Sequence, residues 1–315
     1  MKRIVSVSLG SSARNTSATV HIEGEPVTIE RIGTDGDRRK AIELIQELDG
    51  KVDAFGMGGI DLYLVAGNRR YAIREAKPLL RAAKRSPIVD GSGLKNTLER
   101  RVVEELDRRG IVPLRKRRVL LVSGVDRFGM AEALHQVGSE TIYGDVIFAL
   151  GLPVPIRRLQ ALRVLAYTLL PIMTQLPFKM LYPTGEQQDE ARPRHVRFFQ
   201  WADVIAGDFH FIRRSMPDDL SGKVILTNTV TPQNVEELRA RGVRLLVTTT
   251  PNIQGRSFGT NVMEALIVAL AGKRWEEMTP EDYHHWLDRL GFTPRVEYLN
   301  GTPESESGQP IASVN

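Results

Sequence analysis

Arg118 to Asp145 reads RVLLVSGVDRFGMAEALHQVGSETIYGD: a strand, a glycine turn, a helix and a second strand, in that order. Val119 to Val122 is a continuous apolar run, the pattern of a strand buried on both faces of a parallel sheet. Ser123 and Gly124 break the run. Phe128, Ala131, Leu134 and Val137 then fall at helical spacing, Gly138 ends the helix, and Thr141 to Tyr143 opens the next strand. Such an order opens a nucleotide-binding βαβ unit.

The dinucleotide fingerprint G-x-G-x-x-G requires glycine at 124, 126 and 129, and the chain has Gly124, Asp126 and Gly129. The tight turn and the close packing of the helix are provided for. The middle position, where backbone approaches a pyrophosphate, carries a carboxylate that must point away from any phosphate. A P-loop is excluded because Met130-Ala131 stands where Lys-Ser/Thr belongs. Asp145 follows Gly124 by 21 residues, at the expected end of the second strand. There an acid accepts both ribose hydroxyls of NAD and repels the extra phosphate of NADP. Gly124, Val125, Gly129 and Asp145 are therefore the expected cofactor contacts, with NAD favoured over NADP. The plain alternative is that Gly144-Asp145 is only a turn.

Outward from this unit, 315 residues suggest two domains, each able to bury a core. An apolar content of 42 % and a charged content of 26 % are those of a globular protein. The absence of cysteine excludes disulfides, thiolate metal sites and cysteine nucleophiles. The charge of +5 is scattered in short clusters without interleaved aromatics, so a solvated surface is expected and no nucleic-acid partner. The amino-terminal apolar run, Ile4 to Leu9, is too short and serine-interrupted for a signal peptide. Leu159 to Leu176 contains Arg163 and Pro171 and reads as a buried helix, with no membrane partner. A cytoplasmic location is expected.

Before Arg118 the pattern alternates strands, two hairpins and helices, and Ile111 to Arg117, with a proline and three basic residues, reads as a boundary. The expected organisation is an amino-terminal, substrate-side α/β domain with β-hairpins over 1–112. A doubly wound parallel, Rossmann-like domain follows over 113–300, and a disordered tail over 301–315. Gln175 to Arg194 reads as a long surface loop of the kind that forms lids. Three later strands, 203–206, 224–226 and 245–247, complete the sheet.

Ligands of open α/β sheets bind beyond the carboxyl ends of the strands. Past the later strands stand Gly207-Asp208-Phe209-His210, Thr227 to Thr231 and Thr248 to Asn252. Thr227, Asn228 and Thr249 are candidates to hydrogen-bond ribose and phosphate oxygens, although such residues also serve turns. Gln254 to Asn261 precedes an apolar helix that Thr260 or Asn261 can cap, and its glycines make a candidate anion seat. For proton transfer, Lys95 with Asp90 in the first domain is the candidate pair, a lysine lowered in pKa by burial beside a carboxylate. His210 is a second candidate, since imidazole titrates near neutrality. No cluster has metal-ligand spacing, and no metal is expected.

The phrases SVSLGSS, RIGTDGD, GGIDLYLVAG, VDGSGLKNTLERR and GRSFGTNVMEA resemble a bacterial family labelled quinate 5-dehydrogenase-like. The two-part plan, with the cofactor unit second, resembles more distantly the shikimate/quinate 5-dehydrogenase group. That group's N-V-T-x-P-x-K lysine segment is absent, so Lys95 rests on the local argument alone. The resemblance implies a nicotinamide-dependent oxidoreductase acting on a small, cyclic hydroxy acid. The alternative is a non-catalytic sensor or scaffold that binds a nucleotide or metabolite. The expected partner is a small-molecule substrate; homo-oligomerisation is open.

Overall fold

The computed structural model describes residues 1–67, 69–178, 193–228, 230–249 and 259–301, with the backbone of 252–253 and 256–257. The first half builds strands β1 (Lys2–Ser8), β2 (Thr16–Ile22), β3 (Glu25–Gly33) and β4 (Ala54–Gly58), then β5 (Tyr63–Ala66), β6 (Arg69–Ala72) and β7 (Ile88–Val89). Helices α1 (Arg38–Leu48), α2 (Lys77–Ala82) and α3 (Ser92–Arg108) accompany them. The first sheet has the order β2-β3-β1-β4-β7, parallel except for β2, which returns antiparallel on β3. β5 and β6 form a separate hairpin.

The second half begins β8 (Arg118–Leu121), α4 (Phe128–Gln136), β9 (Glu140–Tyr143), α5 (Asp145–Ala149) and α6 (Leu159–Met173). It continues α7 (Val196–Trp201), β10 (Val204–Ala206), α8 (Phe209–Ser215), β11 (Val224–Thr227), α9 (Pro232–Ala240) and β12 (Leu245–Thr248). After a short ribbon, β13 (Asn252–Ile253) and β14 (Arg256–Ser257), come α10 (Thr260–Ala271), α11 (Pro280–Arg289) and β15 (Arg295–Tyr298). The second sheet runs β15-β12-β11-β10-β8-β9. Its strands β9, β8, β10, β11 and β12 are parallel, as their apolar runs predict. The protein is thus an α/β fold with a doubly wound, Rossmann-like sheet preceded by a separate α/β unit. The order reverses between β8 and β10, which creates the crevice where such sheets take ligands.

Some details depart from expectation. β15 pairs antiparallel with β12, and its four residues, RVEY, carry two charges on an edge, too weak a pattern to announce a strand. Asp145 is the first residue of α5, not the last of a strand. The amino-terminal cap of α10 is Gly259, while Thr260 and Asn261 lie inside the helix. Most of the expected lid (179–192), much of the expected anion seat and the tail from 302 lie outside the described residues.

α10 comes late in the chain yet packs on β1 and β4 of the first sheet. Glycines make this approach possible. A Cβ on Gly56 would stand 2.8 Å from the Asn261 carbonyl oxygen, and one on Gly91 2.7 Å from the Asn261 amide nitrogen. Asn261 Nδ2 donates to Ser6 Oγ on β1. One apolar core consequently runs from Ile4, Ala54 and Val89 through Leu94, Leu98 and Leu266 to Val119 and Val204. No helix among the described residues is long and apolar enough to cross a membrane.

Candidate functional site

Two turns converge beside α3. One leaves β7 as Asp90-Gly91 and enters α3; the other leaves β8 as Ser123 to Arg127 and enters α4. α3 and α4 lie against each other through Gly129, whose missing side chain leaves room for Asn96; a Cβ there would meet the Asn96 carbonyl oxygen at 2.6 Å. The third fingerprint glycine therefore serves helix–helix contact.

This packing sets Lys95, in the first turns of α3, opposite Asp126. Lys95 Nζ donates to both Asp126 carboxylate oxygens at 3.1 Å. Arg127 turns the other way, into the protein. It pairs with Glu99, one turn further along α3, and donates to Asp208 Oδ2 at 2.9 Å. Asp208 also accepts from Asn228 Nδ2 at 2.7 Å, and Asn228 Oδ1 accepts from the Phe209 amide. The ends of β8, β10 and β11 are thus joined to α3 by one polar chain.

Exposure divides this chain into two parts. The Arg127 and Glu99 side chains are 6 % and 2 % exposed, so they are structural ties. Those of Lys95 and Asp126 are 22 % and 32 % exposed, within reach of a ligand. Burial lowers the Lys95 pKa, but Asp126, Glu99 and Asp61 outweigh it and the net shift is upward. The sequence expectation of a lysine depressed by burial is corrected: its acidic neighbours hold it protonated. Burial pushes the Glu99 carboxyl up. Asp126 is held below the usual carboxylate range because Lys95 and Arg127 outweigh its burial.

Asp90 is not the partner of Lys95. Its Oδ2 accepts the amides of Leu62 and Tyr63 at 2.6 and 2.9 Å, and its Oδ1 accepts that of Ser92 at 2.9 Å. It ties the β4–β5 loop to the start of α3. His210 is the second residue of α8, exposed, its amide bound to the cap Asp208.

Asp145 is spent within the protein. Its two oxygens accept the amides of Gly124 at 3.0 Å and Val125 at 2.9 Å. Burial pushes its carboxyl up to about 6. Gly124 is needed for this arrangement, since a Cβ there would crowd Leu162 at 2.9 Å and the Asp145 oxygen at 3.1 Å. The amides that face an incoming phosphate in such turns are here turned to the protein's own acid. Thr227 Oγ1 donates to the Gly207 carbonyl at 2.8 Å, and the Thr249 amide donates to the Thr227 carbonyl. Both threonines are buried strand-end ties. By contrast, Ser123 Oγ, in the turn that follows β8, is buried and has no hydrogen-bond partner among the described residues. A buried hydroxyl without a partner calls for a ligand or water.

Glu99, Arg127, Asp208 and Ser123 do not stand out as site residues in the sequence. Arg127 sits inside the fingerprint, and Glu99 lies one helical turn from Lys95 on the same face; that spacing is the available signal. A cavity of about 510 Å³ lies elsewhere, at the amino ends of the first sheet beside Lys2, Asp53 and Lys84. The convergent polar groups at the switch point mark the better candidate.

Two family models match the chain, one described as Domain of unknown function (DUF8754) over residues 93–299 and one as Domain of unknown function (DUF8753) over 3–90. No curated protein sequence matches. Among solved structures, the glutamate dehydrogenase of Thermus thermophilus is 12 % identical, with coverage of 92 % of this chain and 73 % of that one and a TM-score of 0.40. The NAD-dependent malic enzyme of Thermotoga maritima is 12 % identical, covering 93 % and 85 %, with a TM-score of 0.35. The arabinose-binding periplasmic protein of Shewanella sp. ANA-3 is 11 % identical, covering 92 % and 95 %, with a TM-score of 0.34.

Proposed function

This chain belongs to the family described as Domain of unknown function (DUF8754), and from its geometry we propose that it is a nicotinamide-dependent oxidoreductase acting on a small hydroxy acid. The observation that carries the reading is the Lys95–Asp126 pair, accessible at the junction of the two sheets' carboxyl ends. A bound nicotinamide supplies the hydride acceptor or donor. The protein supplies the proton. Lys95, kept charged by Asp126, donates to the carbonyl oxygen of a keto substrate as it becomes an alcohol, and takes the proton back in the reverse direction. Asp126 holds the ammonium in place. Ser123 Oγ, buried with its hydrogen-bonding capacity unused, would reach a ligand oxygen only once the turn after β8 uncovers it. A quinate- or shikimate-like ring is the substrate class implied by the sequence resemblance.

The cofactor seat fits in part. Ser123 favours a ligand, but Asp145 can grip a ribose only after its carboxylate leaves the amides of Gly124 and Val125. That same contact favours the second reading, a sensor that binds a nucleotide or metabolite without turnover.

Titration with NADH and with NADPH, followed by nicotinamide fluorescence, separates the two readings. The oxidoreductase reading expects NADH binding, turnover of a hydroxy acid, and loss of turnover in Lys95→Met by about 100-fold or more with NADH binding retained. Tight NADH binding with no turnover of any hydroxy acid supports the sensor. Absence of binding by either dinucleotide removes both.

A further inference from the structure

α6 has two apolar faces, and the molecule uses one. Leu159, Leu162, Ala166 and Leu170 are buried against α4 and the β5–β6 hairpin. On the outer face Val164 is 64 % exposed and Ile172 63 %, with Leu169 alongside. Thr168 stands between them at four-residue spacing and turns its hydroxyl back to the Val164 and Leu165 carbonyls, at 2.9 and 3.0 Å. That hydroxyl therefore needs no water. The segment leading into α6 adds Leu150, Leu152 and Val154, each more than half exposed. Apolar patches of this kind seldom stay open to water.

The carboxyl end of α6 is completed within the protein. A helix normally leaves its last four carbonyls without an intrahelical partner. Here the carbonyls of Leu170, Ile172 and Met173 accept the amides of Thr174, Gln175 and Leu176. The Pro171 carbonyl accepts from Thr174 Oγ1, and the Thr174 carbonyl from the Arg74 amide. This end of the helix can leave water without stranding its carbonyls, which is the condition an apolar medium imposes.

Charge identifies what covers the face. Residues 146–178 contain no acid and three arginines, Arg157, Arg158 and Arg163. Arg163 shares Glu132 with Arg100, one acid between two cations. Arg157 lies over the Trp201 ring, and Arg197 donates to the Pro153 carbonyl between the exposed side chains of Leu152 and Val154. Neither these two nor Arg158 meets a carboxylate among the described residues. A second copy would bring the same cations and no acid. A layer that is apolar inside and negative at its surface matches both properties. We propose that α6 and its lead-in segment dock on a bilayer containing anionic lipids, with the aliphatic side chains among the acyl chains and the arginines at the headgroup phosphates. With 15 residues, α6 lies on the bilayer and is too short to cross it.

The test is co-sedimentation of the full chain with vesicles. Binding is expected to phosphatidylcholine vesicles that contain phosphatidylglycerol, with little to phosphatidylcholine alone, and it should weaken as salt rises. Because the chain has no cysteine, Val164→Cys accepts a single environment-sensitive dye. Its emission is expected to shift to the blue on the anionic vesicles. The same dye on Arg14→Cys, in an exposed turn of the first half, should not shift. The double variant Val164→Asp/Ile172→Asp is expected to bind about tenfold more weakly or worse, with the urea midpoint of the parent, since both residues face outward. Arg158→Glu is expected to weaken binding by about tenfold or more, whereas Arg14→Glu leaves it unchanged. A parent that ignores anionic vesicles overturns the proposal, as does a dye at position 164 that does not shift. A double variant that binds like the parent overturns it too. A dimer in sedimentation velocity that the double variant abolishes would overturn it by assigning the face to a second copy.

Discussion

At the scale of single residues, the site turns on which carboxylate each cation meets. Lys95 meets Asp126 where solvent reaches, and Arg127 meets Glu99 and Asp208 where it does not. Removing one partner from a buried pair strands the other charges, which costs about 3–5 kcal/mol. Arg127→Met is expected to lose that much in urea unfolding near neutral pH. Adding Glu99→Gln should then cost less than it does alone, because the Glu99 charge is already unpaired. Asp145 sets a pH dependence. Its folded pKa, about 6, lies above the ordinary 3.8, so the folded protein holds the proton more tightly than the unfolded chain. The stability this contributes is fully present below the unfolded value and is lost as pH rises through the folded one. The stability of the parent relative to Asp145→Asn should therefore fall by on the order of 3 kcal/mol between about pH 4 and 7. A pH-independent difference would show that Asp145 does not bind its proton this way.

At the scale of elements, the decisive contact is the amino end of α10 against β4 and the β7–α3 turn. It exists only because Gly56 and Gly91 have no side chains. Gly91 also sits at φ +93°, a left-handed conformation that strains any other residue. Gly56→Ala is expected to destabilise by about 1–3 kcal/mol through crowding of the α10 backbone. Gly91→Ala should lose more, about 2–5 kcal/mol, since strain adds to crowding. Gly110, at φ +66° with open space for 4 Å around the point where a Cβ would stand, isolates the strain alone; Gly110→Ala should cost about 1–2 kcal/mol. Thermal or urea unfolding of the three variants checks the order Gly91, Gly56, Gly110, with Gly91 the most damaging.

At the scale of the molecule, the two sheets share a core. Without α10, the face of β1 and β4 that includes Ile4 and Ala54 would meet water. A boundary at residue 112 divides the sheets in sequence, and we propose that it does not divide two independently folding units. A fragment ending at 112 should lack a cooperative unfolding transition by circular dichroism and be digested rapidly by protease. Mixing it with 113–315 should restore both. Cooperative unfolding of the isolated fragment would contradict the shared core.

The sequence alone determined the α/β class, the hairpins, the parallel strands of the second sheet and the glycine turn after β8. All of these follow from local rules: apolar period, turn chemistry and helix-ending glycines act within a dozen residues. It also pointed to Lys95 and to Asp126 as an obstacle to phosphate. It did not yield β15, whose short charged edge gives no periodic signal, nor the partner of any charged residue. Only the tertiary structure decided that Lys95 faces Asp126 rather than Asp90, that Asp145 closes on the Gly124 and Val125 amides, and that α10 returns to the first sheet. Pairing of this kind depends on which elements pack together across the chain, and the Coulomb and burial terms that select a partner exist only once that packing has removed the water.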